Sequence, residues 1–226
     1  MKNKFSVPLV VAALVLAIAL IYIAQNPGQI LSKIKPGQST NVNTGEIKDI
    51  PALGNSNAKV LVEVYSDYQC PFCGKYYVES IEPFIKDYVD TGKAKLIYRE
   101  LAFEGDRSQW AAEATRCAND QGKFWEYHDK IFTERFSKND TSVYEKASLK
   151  QYAKDLGLDT NLFNACLDSG KYTQAVKDAT KAGFAKGING TPTTIINGKV
   201  AVSADGKSLG AMNYQTLKSL VEAALQ

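Results

Sequence analysis

A run of alternating apolar residues, "KVLVEVYS" at 59–66, leads within four residues into "CPFC" at 70–73, and this junction restricts the fold more than any other feature of the chain. The alternation predicts a strand. Pro71 falls where a helix would begin, a favoured place because the first helical N–H has no intrahelical partner. Cys70 then becomes the N-cap, and Cys73 lies one turn inside. Free N–H groups and the positive end of the helix dipole point at the Cys70 sulfur and favour its thiolate. Cys70 is therefore the expected nucleophile, exposed at the helix tip, and Cys73 the shielded resolving thiol. Two plainer readings compete. A zinc site wants four ligands, whereas the chain adds only Cys117, Cys166 and His128, all singly placed. A static Cys70–Cys73 disulfide closes too short a loop to constrain the unfolded chain much. A redox pair is the reading carried forward, with no metal and no cofactor.

Beyond the pair, Pro71 to about residue 90 has apolar residues at Tyr77, Ile81, Phe84, Ile85, Tyr88 and Val89 in helical spacing, with a kink expected at Pro83. "AKLIYREL" reads as a second strand, and residues from about 106 to 186 are helical in pattern. "TPTTIINGKVAV" supplies two short strands joined at Asn197-Gly198, a strong hairpin signal, before a last helix, "NYQTLKSLVEAAL". A right-handed crossover makes the first two strands parallel, and the hairpin adds antiparallel ones. The predicted class is α/β: a mixed sheet with helices on both faces and an all-helical insertion.

The N-terminus differs from the rest. "MKNKFSVPLVVAALVLAIALIYIA" carries Lys2 and Lys4 and then an uncharged run from Val7 to Ala24, close to the length that spans a bilayer. Ala17 and Ala19 offer a small-residue cleavage pair, but the apolar run continues past them, so residues 1–24 are expected to be an uncleaved anchor rather than a cleaved signal. Positive charge ahead of the span places the remainder outside the cytoplasm. Residues 25–57 read as a polar tether and 58–226 as the domain, with the question open whether 46–57 add an edge strand. A net charge of +3, with 45% hydrophobic and 23% charged residues, suits a globular domain and gives no case for a nucleic-acid partner. In an exported domain whose first two cysteines pair, a Cys117–Cys166 bridge is the economical inference, two buried free thiols being the alternative. His128, in "FWEYHDKIF", has no nucleophile to serve and is read as structural. Trp110, Phe124 and Trp125 are read as core of the insertion.

"DYQCPFC" after a strand, "GTPTTIING" near the C-terminus and the helical block between them resemble the DsbA-like branch of the thioredoxin family over roughly residues 58–226. The resemblance implies a thioredoxin-like fold with its helical insertion between the second parallel strand and the cis-proline strand. It also implies thiol–disulfide oxidoreductase activity through Cys70 and Cys73. Thr191-Pro192 matches the loop whose proline is cis, in place of a plain trans turn, and would offer the Thr191 N–H and C=O to an extended substrate. Glu63 matches a buried acid under the active site, if one extra residue is allowed between strand and motif; otherwise it faces solvent. Phe72 stands where some members have His, which implies a weaker oxidant; its ring either adds apolar substrate-binding surface or packs beside Pro192. Implied partners are reduced exported polypeptides and a quinone-linked membrane reoxidant of the DsbB or VKOR type. A reductase or isomerase of the same fold, or a chaperone-like binding module with permanently oxidised cysteines, are the alternatives.

Overall fold

A computed structural model describes residues 52–226 except 139. The anchor expected at 1–24 and nearly all of the tether lie outside the described residues. Among the described residues no helix is long and apolar enough to cross a membrane.

The alternating segment forms β2, Val60–Ser66, with β1 at Leu53–Gly54, β3 at Ala94–Glu100, β4 at Thr193–Ile196 and β5 at Lys199–Val200. The sheet order is β1-β3-β2-β4-β5. β2 and β3 run parallel, in register from Val60 opposite Ala94 to Ser66 opposite Glu100. β4 is antiparallel to β2, with Val62 opposite Ile196 and Tyr65 opposite Thr193. β1 adds an antiparallel edge strand on β3, so the fold takes in two residues that the sequence assigned to the tether.

A continuous helical run makes the crossover from β2 to β3. It consists of α1, Pro71–Tyr76, a π-helical turn at Tyr77–Ile81, α2, Glu82–Phe84, and a second π-helical turn at Ile85–Val89. Pro83 has no N–H for the i→i−4 ladder, and the wider turns on either side absorb the mismatch. The insertion comprises α3, Asp106–Asn119, α4, Phe124–Lys138, α5, Lys146–Asp155, α6, Thr160–Ser169, and α7, Thr173–Ala185. α8, Tyr214–Leu225, closes the chain and buries Leu217 and Val221.

The strand period sorts side chains onto two faces. Val60, Val62 and Val64 of β2 and Leu96 and Tyr98 of β3 join the main core, with Phe84, Phe124, Ile131 and Phe132 from the helices. Tyr65 packs on the other face with Leu101 and Ile188. α7 approaches that face so closely that a Cβ at Gly183 would lie 2.4 Å from Leu101 Cδ1. The β4–β5 turn is Asn197-Gly198, both with positive φ (46° and 79°), as a type I′ hairpin turn demands. The Asn197 side chain also accepts a hydrogen bond from the Leu61 N–H at 2.8 Å.

Candidate active site

The carboxyl end of β2 delivers the chain to the site through a turn organised by Asp67. This buried residue accepts from the Gln69 N–H at 2.9 Å, a side-chain turn that Asp makes readily. Its other oxygen accepts from the Phe103 and Glu104 N–H groups at 2.9 and 3.1 Å. The Cys70 N–H donates to the Asp67 carbonyl at 3.2 Å. Cys70 then caps α1, with Pro71 in the first turn and Cys73 inside it.

Both cysteines are free thiols, 3% and 2% exposed respectively. The expectation of an exposed nucleophile is corrected here. The Thr191-Pro192 peptide bond is cis, and its loop lies over the pair, with the Thr191 carbonyl 3.6 Å from the Cys70 sulfur. The Thr191 hydroxyl is buried and is among the groups that favour the Cys70 thiolate.

The two thiols are driven apart in acidity. Cys70 is lowered to about 6, first by a hydrogen bond from the Cys73 thiol, against the opposing effect of burial, then by the Thr191 hydroxyl and the backbone N–H groups of Cys73 and Phe72. The helix-end N–H groups that the sequence put first therefore come behind the neighbouring thiol. Cys73 is pushed well above the ordinary thiol range by burial, then by its hydrogen bond to Cys70 and the negative charge there, with the Ser66 hydroxyl opposing. A small cavity of about 20 Å³ lies behind Cys73, lined by Val64, Ser66, Tyr98, His128 and Phe132 among others.

Glu63 is not under this pair. Val64 and Ser66 border the Cys73 cavity, so by strand alternation the side chain at 63 faces the other way. There it pairs with Arg99, Oε1 to Nη2 at 2.7 Å. The polar groups next to the cysteines are instead Ser66, Asp67 and Glu104. Burial, then the charges of Cys70 and Asp67 and a hydrogen bond to Cys70, push the Glu104 carboxyl up to about 7. The reading of the sequence missed Asp67 and Glu104. Asp67 opens the motif itself, and its turn-forming chemistry was the available signal, whereas nothing local to Glu104 marks it.

Phe72 is 65% exposed, so its ring does not fill space beside Pro192. Phe103 and Phe184 are also exposed, their rings edge to face with centroids 5.7 Å apart. A groove of about 340 Å³ runs along Ile188, Thr191, Pro192 and Val200. Away from the site, Cys117 of α3 and Cys166 of α6 are bridged, with Cα atoms 5.9 Å apart. His128 is 2% exposed in a cage with Tyr68, Tyr77, Tyr98 and Phe132, its pKa lowered by burial, with Nδ1 3.1 Å from Asp129 Oδ1. Phe124 is fully buried, and Trp110 and Trp125 pack at the edge of the core. Among the described residues no cluster of three or more His, Cys, Asp or Glu side chains is placed to hold a metal ion.

Comparison with known proteins agrees with this geometry. The thioredoxin family profile matches residues 47–223. The disulfide bond formation protein D of Bacillus subtilis is 26% identical over 198 residues, covering 86% of each chain. The crystal structure of BdbD from Bacillus subtilis in its oxidised form superposes with a TM-score of 0.67 at 25% identity, over 79% of this chain and 94% of that one. A Na(+)/H(+) antiporter, NhaA 3 of Salinispora tropica, is 29% identical over 174 residues, 76% of this chain. The chain spans about a quarter of the length of the antiporters it matches. With its cysteine pair at the head of a helix, its cis-proline loop and its helical insertion, the chain belongs to the thioredoxin family.

Proposed function

We propose that the protein is an extracytoplasmic thiol oxidase, held at the membrane by residues 1–24, that introduces disulfides into reduced exported polypeptides. The observation that carries this reading is the placement of the pair: Cys70 caps α1 beneath the cis Thr191-Pro192 loop, its sulfur 3.6 Å from the Thr191 carbonyl, in a setting that lowers its pKa to about 6. A stabilised Cys70 thiolate favours the reduced enzyme and hence transfer of the disulfide outward.

In this scheme a substrate thiolate attacks the Cys70 sulfur of the Cys70–Cys73 disulfide. The S–S bond breaks, and Cys73 leaves as a thiolate and takes up a proton. A second substrate thiolate attacks the substrate sulfur of the mixed disulfide, and Cys70 departs as the stabilised thiolate. Two electrons pass from substrate to enzyme, which leaves as the dithiol. A quinone-linked membrane partner of the DsbB or VKOR type removes them. Thr191 serves as the main-chain pairing site for an extended substrate beside Pro192, and the exposed Phe72 ring adds an apolar contact. Phe72 brings no positive charge to the thiolate, so the protein is a weaker oxidant than members with His between the cysteines.

A reduction potential measured on the full chain, with refolding of reduced ribonuclease by wild type and Cys70→Ser, tests the reading. The expected potential lies above about −200 mV, with turnover lost in the variant; a value near that of thioredoxin, about −270 mV, marks a reductase, and one below about −300 mV without turnover a binding module.

A further inference from the structure

A pocket beside the nucleophile has no part in the scheme above. It opens between α1 and the last turn of α4, has a volume of about 340 Å³, and is lined by Pro71, Gly74, Lys75, Arg135 and Phe136. Gly74 lets the two helices meet there: a Cβ at this position would lie 3.8 Å from Arg135 Cγ, so the half-buried arginine stem runs against α1. The Lys75 side chain is 63% exposed, and its pairing with Glu79 is long, 3.9 Å, a surface pair of little energy. Phe136 is exposed at the rim. The lining thus carries two cations and no acid. The acids nearby are engaged elsewhere. Glu134 of α4 pairs with Lys130 and Lys138 at 2.8 and 2.6 Å. Asp67 is tied to the N–H groups of Gln69, Phe103 and Glu104.

We propose that this pocket is a substrate subsite that takes an acidic side chain, Asp or Glu, two or three residues from the cysteine that attacks Cys70. The inference rests on the oxidase reading and adds to it a preference among reduced polypeptides. The reach is right. Pro71, the first wall, adjoins Cys70 in the chain, and Lys75 stands about 7–8 Å from Cys70 along a helix that rises about 1.5 Å per residue. An extended substrate advances about 3.3 Å per residue, so a side chain two or three positions from the reacting cysteine arrives over the pocket while its sulfur meets Cys70. The chemistry also fits. A guanidinium holds a carboxylate through two parallel N–H donors, and Lys75 adds a second, mobile charge. Pro71 and Phe136 supply apolar surface for the methylenes of the acid. The subsite acts on the encounter with substrate and leaves every bond of the exchange as already described.

The test uses the oxidised full chain, as wild type, Lys75→Glu and Arg135→Gln, in single-turnover reduction by dithiol peptides read by quenched alkylation. The peptides differ only in one residue, Glu, Gln or Lys, placed two or three positions before or after the first cysteine. Each rate is divided by the same peptide's rate with glutathione disulfide, which removes the effect of that residue on its own thiol. For the best-placed position, wild type is expected to react about tenfold faster with the Glu peptide than with the Lys peptide at low salt, a ratio worth about 1.4 kcal/mol and within reach of hydrogen bonds to charged groups. The ratio is expected to fall below about threefold in either variant and to shrink in about 0.5 M salt. Lys75→Glu decides the matter if Arg135→Gln does not fold, since the exposed lysine can be changed without disturbing the packing of Arg135 on α1. A ratio near one in wild type at every position, or a ratio that a folded variant leaves unmoved, overturns the subsite while leaving the oxidase reading intact. A wild-type disulfide that none of the peptides reduces overturns both.

Discussion

At Cys70 two influences of opposite sign meet, and their sum decides the chemistry. Burial alone would disfavour a thiolate, yet donors converge on the sulfur: the Cys73 thiol first, then the Thr191 hydroxyl, then two backbone N–H groups. The donors win because the fold presents them already oriented, on the first turn of α1 and on the loop of the cis proline. Thr191 is the one donor that can be removed without touching the redox pair or the backbone. Thr191→Val keeps the shape and drops the hydroxyl, and the Cys70 pKa is expected to rise by about one unit or more, since a hydrogen bond to a charged group is worth about 1.5 kcal/mol or more. The pH dependence of alkylation by iodoacetamide reads this directly, and an unmoved profile means that the hydroxyl does not serve the thiolate.

Among the elements, α7 and the sheet come closest at Gly183. Alanine there would gain about 1 kcal/mol of helix propensity, but its Cβ would lie 2.4 Å from Leu101 Cδ1, in a side chain with no exposed surface. Overpacking of a filled core costs about 1–3 kcal/mol, and at 2.4 Å the clash prevails, so Gly183→Ala is expected to lose up to about 2 kcal/mol net. Urea denaturation measures this; a stabilised variant would show that Leu101 has room to turn away. The elements themselves were largely legible. β2 and β3 announce themselves by alternation, α1 by Pro71, and the β4–β5 turn by Asn197-Gly198. The facing of β2 near its end was not legible. Val64, Tyr65 and Ser66 are all buried, so hydrophobicity stops distinguishing the two faces just where the acid had to be assigned, and Glu63 was placed on the wrong one. Glu104 was beyond reach for another reason: Asp67 holds it by a contact 37 positions distant, which no local pattern encodes.

For the whole molecule, the parallel β2–β3 pair and the antiparallel β4 bring three distant segments to one end of the sheet: the Cys70 turn, the Glu104 loop and the cis-proline loop. The insertion braces them from behind, with the Cys117–Cys166 bridge joining two of its helices and the Tyr144 hydroxyl donating to the Tyr68 carbonyl. The depressed acidity also couples to folding of the dithiol form. Because the folded pKa lies below the unfolded one, the thiolate's contribution is complete above the unfolded thiol's pKa and is lost as pH falls through about 6. The disulfide form has no such term. Everything in this account depends on that one ionisation, and ultraviolet thiolate absorbance of the reduced full chain, titrated against pH with Cys70→Ser as reference, measures it most directly. A single thiolate is expected to form with a midpoint near pH 6 and to be absent from the variant, while Cys73 stays protonated past pH 9; a first midpoint near 8.5, the value of an ordinary thiol, would contradict an activated Cys70.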